Sequence, residues 1–179
     1  MPDTPDGREA FVDVAGKRMH YTRLGAGFSG APILFLHEGL GSVERWRTFP
    51  AEVVAATQHP GLVYSRHGNG WSDHVNEGRE PDYMHGEALQ VLPELVSRLL
   101  GALPILLGHS DGASIALIYA GSGYPVSGLV LIAPHVFVEP LALESIASTR
   151  QEFLDSDMPE RMAKYHLHPE KTFLRWADA

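Results

Sequence analysis

The chain has 179 residues, of which 44% are hydrophobic, which suits one compact domain and is short for two. It contains no cysteine and carries a formal charge of -8, which excludes disulfides and thiolate metal sites and argues against a phosphate-binding, nucleic-acid-facing surface. The start, MPDTPDGREA, lacks the basic and then apolar blocks of a signal peptide, and no apolar run is long enough to span a bilayer, so a cytoplasmic protein with no membrane association is expected.

From the N-terminus, AFVDVAGKRMHYTRL predicts two short strands hinged at Gly16. The continuous apolar run Ile33 to Leu36 predicts a strand buried on both faces, ending in His37 and a glycine-rich loop. Val43, Trp46, Phe49, Val53 and Val54 then recur at helical spacing despite Pro50, which predicts one amphipathic helix with Trp46 in the core. A strand over Leu62 to Ser65 runs into a second glycine-rich loop. Leu89, Leu92, Val96, Leu99 and Leu100 mark the next helix, which Pro93 should kink or start late. Ile105 to Leu107 and Leu129 to Ile132 are the remaining strands, with a small-residue helix ending at Gly121 between them.

Apolar runs alternating with helices require parallel strands joined by crossovers. The expected architecture is therefore three-layer α/β, a mostly parallel sheet with an N-terminal hairpin and helices on both faces. In such sheets ligands bind beyond the carboxyl ends of the strands, where each glycine-rich loop lies. From Glu139 the chain turns helical and charged with no further strand-like run. Residues 1–138 are read as the core and 139–179 as the start of a helical cap.

Chemistry concentrates at Gly108-His109-Ser110-Asp111-Gly112. This is G-x-S-x-G between a strand and a helix, the pattern in which a serine is held in a strained conformation on a very tight turn, above a helix N-terminus that favours negative charge. Ser110 is the candidate nucleophile. The amide of Asp111 is a candidate oxyanion donor, its carboxylate being expected to point away. The loop His37-Glu38-Gly39-Leu40-Gly41-Ser42 should supply a second donor, with Gly39 the first choice and Leu40 the second. His37 is expected to brace that loop, and His37, Leu40, His109, Trp71 and His135 are candidate residues of a substrate pocket.

Together these segments resemble the serine-type α/β-hydrolase fold family. LHEGLGS is similar to its oxyanion segment, SRHGNGWSD to its D-x-x-G-x-G-x-S loop and GHSDG to its nucleophile elbow, in matching order across residues 10 to 138. Glu38 stands where the family usually has glycine, and Ser65 where it usually has aspartate. The resemblance implies hydrolysis of an ester or related acyl substrate without cofactor. Carbon–carbon bond hydrolysis, or a non-catalytic small-molecule-binding role on the same fold, are the alternatives.

In the family the acid and the histidine follow the elbow, each after a further strand. Here only His135, Glu139, Asp155, Asp157, His166 and His168 stand nearby. His135 comes too early for the family's histidine, and the HLHP of His166 and His168 reads as a polar helix end without a third metal ligand, so no metal is expected. The chain is therefore read as an N-terminal portion of the fold lacking its triad acid and histidine. Its last strand should form an open edge able to draw a second copy into a homodimer.

Overall fold

The computed structural model describes residues 7–75 and 78–179. The hairpin forms from β1 (Glu9–Val14) and β2 (Lys17–Leu24), joined by a two-residue turn in which Ala15 and Gly16 both have positive φ, 50° and 73°. That turn matches the right-handed twist of its strands. Next come β3 (Ile33–Leu36), β4 (Gly61–Tyr64), β5 (Ile105–His109) and β6 (Gly128–Ile132), in the sheet order β1-β2-β4-β3-β5-β6. The four later strands pair in parallel, and β2 joins the hairpin to β4 antiparallel. β3 and β4 are buried along their length, which is why their sequences read as unbroken apolar runs.

Helices cover both faces. On one, α1 (Phe49–Thr57) sets Val54 against Ile33, Phe35, Val63 and Leu107. On the other, α3 (Leu92–Leu99) and α4 (Asp111–Gly121) close a core built from Met19, Leu34, Leu62, Leu95 and Ile115. The single helix expected over Val43 to Val54 is broken. A 3-10 turn over Glu44–Trp46 ends at Arg47, whose φ of 52° leaves the helical region, and α1 restarts with Pro50 in its first turn. Pro suits that place because its missing N–H would have no acceptor there. Trp46 stacks on Phe49, with ring centroids 5.6 Å apart, and meets Phe35 edge-on. Around Pro93 the chain winds as α2 (Tyr83–Gly86), one π-helical stretch over Glu87–Val91, and then α3. Pro93 thus falls in the first turn of α3, the late start its missing N–H tolerates.

The C-terminal residues form α5 (Pro140–Asp155), α6 (Met158–Met162) and α7 (Pro169–Ala177), held together by Phe153 stacked on Phe173 at 3.9 Å. Strand β6 is an edge of the sheet, with Leu129, Val130 and Ile132 exposed. Among the described residues no helix is long and apolar enough to cross a membrane.

Candidate active site

Four parallel strands deliver the site from their carboxyl ends. After β5 the chain reverses at Ser110, with φ 53° and ψ -120°, and enters α4 at once. A Cβ on Gly108 would strike the backbone of Gly112 and Ala113, and one on Gly112 would strike the carbonyls of Leu36 and His37. Those two glycines let the turn close and let α4 abut the end of β3. Arg47 adopts nearly the same backbone conformation, φ 52° and ψ -127°, so this strained geometry is not unique to Ser110. Ser110 N–H donates to the Ile132 carbonyl at 2.9 Å, locking the turn to β6.

Beyond β6 the chain turns at Ala133, φ 50°, and brings His135 back over α4. The Ser114 hydroxyl accepts from His135 N–H at 2.8 Å and bonds the His135 carbonyl at 2.8 Å. Ser114 is buried one helical turn after Ser110, so it sets His135 over the serine. His135 Nε2 lies 2.9 Å from Ser110 Oγ. With the serine donating, the ring proton of His135 resides on Nδ1. His135, too early in the sequence for the family's histidine, is thus hydrogen-bonded to the serine.

Asp111 opens α4, so its N–H has no acceptor within the helix. Its carboxylate turns into a buried cluster. Tyr83 Oη donates to it at 2.7 Å, Arg66 approaches at 3.4 Å, and Arg79 at 4.0 Å. Burial, followed by the Asp111 charge, pushes the Tyr83 hydroxyl above its usual range and keeps it a donor. Burial, with Arg66 beside it, draws Arg79 down to about 10.

The loop from His37 to Ser42 is braced from beneath. His37 Nδ1–H donates to the Glu38 carbonyl at 2.6 Å while its Nε2 accepts from Arg66 N–H at 2.9 Å. Both ring nitrogens are committed, and burial with the adjacent Arg66 charge holds the imidazole neutral, well below its usual range. Asn69 donates to the carbonyls of Gly39 and Gly41 at 3.2 and 3.0 Å, and Arg66 donates to the Glu38 carbonyl at 2.8 Å. Ser65, in the place of the expected aspartate, accepts from Val43 N–H at 2.9 Å. Glu38 folds against Gly41, and burial raises its carboxyl above the usual range.

A cavity of 160 Å³ lies among His37, Glu38, Gly41, Ser42, Arg45, Trp46 and His109, so of the expected pocket residues His37 and His109 line it. Leu40 instead packs on the C-terminal helices, and Trp71 is half-buried in the second loop. A wider cavity of 410 Å³, lined by Arg23, Leu24, Phe28 and Leu99 among others, lies at the opposite end of the parallel strands, away from Ser110.

Three groups of residues escaped the sequence reading. Arg66, Asn69, Arg79 and Tyr83 form the support under the loops; their only signal was polar side chains crowded after a buried strand. Trp176 packs its indole against Gly39. His166 is buried rather than a polar helix end. Its Nδ1 accepts from Gly70 N–H at 3.0 Å and its Nε2 donates to the Leu40 carbonyl at 3.0 Å, pinning the C-terminal helices to both glycine-rich loops.

A sequence model of the Alpha/beta hydrolase family matches residues 33–179. No curated protein sequence matches the chain. Among solved structures, it is similar to an alpha/beta hydrolase fold protein from Chitinophaga pinensis, with TM-score 0.67, 18% identity, and coverage of 86% of this chain and 53% of that one. It is similar also to a carboxylesterase structure from Nitrososphaera gargenis, with TM-score 0.67, 16% identity, and coverage of 95% and 67%. An epoxide hydrolase from Vigna radiata aligns with TM-score 0.59 and 15% identity over 81% of this chain and 45% of its own. The chain spans about half the length of the first of these structures that it matches.

Proposed function

Given that the chain belongs to the Alpha/beta hydrolase family, we propose that it hydrolyses carboxylic esters or related acyl compounds through Ser110. The observation that carries this reading is the 2.9 Å contact between Ser110 Oγ, on its strained turn, and His135 Nε2. A serine hydroxyl is a weak nucleophile near neutral pH, and an adjacent base that takes its proton is what activates it.

In this reading Ser110 Oγ attacks the acyl carbon while His135 Nε2 accepts the hydroxyl proton. The carbonyl oxygen becomes an oxyanion held by the N–H groups of Asp111 and Gly39, and the positive end of α4 points at it. Collapse expels the alcohol, which takes the proton from His135, and leaves an acyl group on Ser110. Water then attacks with the same base, releasing the acid and restoring the serine. The buried Asp111 carboxylate is paired with Tyr83, Arg66 and Arg79, whose donors and charges offset its repulsion of the oxyanion. An acyl substrate suits amide donors arranged around a hydroxyl nucleophile, and the carboxylesterase similarity agrees with that chemistry.

The test is turnover of a short activated ester by the wild-type chain, Ser110→Ala and His135→Ala. Loss in both variants supports the reading. Equal turnover by Ser110→Ala would overturn it and favour a binding role. A series of esters of increasing acyl length then defines the substrate.

A further inference from the structure

We propose that Glu9, His20 and Glu44 form a binding site for one divalent transition-metal ion, on the hairpin side of the sheet and separate from Ser110. His20 pairs opposite Phe11 across β1 and β2, so the two side chains share a face, and Glu9, two residues before Phe11, shares it too. Glu44 begins the 3-10 turn that lies over that face. One imidazole nitrogen and one carboxylate oxygen from each acid come within 4.8 Å of one another.

Burial is the argument that these groups await a ligand. His20 is 0% exposed and neither of its ring nitrogens has a hydrogen-bond partner; the same holds for both carboxylate oxygens of Glu44. The nearest approach between them, His20 Nδ1 to Glu44 Oε1, is 3.7 Å, beyond the reach of an N–H···O bond. Buried polar groups are almost always satisfied, and a cluster of unsatisfied ones needs an explanation. A single cation between them supplies one: it accepts a lone pair from imidazole and from each carboxylate. One nitrogen with two carboxylate oxygens is a donor set for Zn²⁺ or Mn²⁺. Glu9 is exposed and provides the way in.

The backbone under the site is already fixed. His20 N–H donates to Ser72 Oγ at 2.9 Å, and its carbonyl accepts from Ser65 N–H at 2.9 Å. An ion here would tie the hairpin to the turn that carries Arg45 and Trp46, two residues of the 160 Å³ cavity beside His109. Its role is to hold that wall in place.

Calorimetric titration of the chain with ZnCl₂ tests the proposal. We expect one ion per chain, with affinity reduced by about 10-fold or more in Glu9→Gln and in His20→Ala, together with loss of the zinc-dependent rise in Tm. Because Glu9 is exposed, Glu9→Gln keeps the fold and decides the matter if His20→Ala does not fold. His168→Ala is the control, since His74 and His168 form a second imidazole pair with ring centroids 5.2 Å apart. No binding, binding unchanged in Glu9→Gln, or binding lost only in His168→Ala would each overturn the proposal.

Discussion

Ser110 and His135 are 25 residues apart in sequence and meet at 2.9 Å, Oγ to Nε2, because β5 and β6 are parallel neighbours whose carboxyl ends lie side by side. On the proposed reading, replacing either partner removes the activated nucleophile. We expect Ser110→Ala to lower ester turnover by about 10³-fold or more and His135→Ala by about 10²-fold or more, with little change in stability. Ser110→Gly should raise stability by about 1 kcal/mol through relief of the strained φ. Initial rates and urea midpoints check all three.

Ser114 holds His135 through both of its backbone polar groups. Ser114→Ala should therefore reduce kcat by about 10-fold while leaving KM nearly unchanged, since the base loses alignment and the substrate loses no contact. A change in KM alone would show that Ser114 does not position the base.

Glycines separate by what surrounds them. Gly112→Ala should destabilise the protein by about 2–3 kcal/mol, because its Cβ would meet the Leu36 and His37 carbonyls and backbone cannot swing aside. Gly86→Ala faces open space at the end of α2 and should be neutral or stabilising by up to about 1 kcal/mol. Urea unfolding of the two variants reads the contrast.

Acid should release the C-terminal helices. Burial lowers His166 from 6.5 to about 4, with Arg45 adding repulsion, so the unfolded chain binds a proton that the folded one refuses. The stabilisation is complete above pH 6.5 and is lost as pH falls toward 4. His20, His37 and His67 are lowered in the same direction and add to the slope. In His166→Gln the slope of stability against pH over that window should be shallower; an unchanged slope would show that His166 does not carry it.

The exposed β6 edge, with Val130 at 44% and Ile132 at 39% exposure, should pair with a second copy at micromolar concentration and above, as unprotected apolar edges do. Light scattering should detect the dimer in the wild-type chain and less of it in Val130→Lys, which places a charge on that strand.

Local chemistry made much of this protein legible in its sequence. Each of the four parallel strands is an apolar run, three of them ended by glycine or by a polar loop, and burial on both faces leaves no other pattern available to β3 and β4. The elbow was readable for the same reason, since a strained serine between two crowded positions admits only glycine there. Helix spacing failed at Arg47, where the Val43 to Val54 pattern gave no sign of a residue leaving the helical region. Relations between distant residues were decided by tertiary structure alone. His135 gains its serine from strand adjacency, His166 reaches Leu40 across 126 positions, and Arg66 is buried only because β3, β4 and α4 converge beneath the loops. Local sequence fixes backbone preferences within a few residues, whereas the company of a polar side chain depends on which chain ends the sheet order brings together.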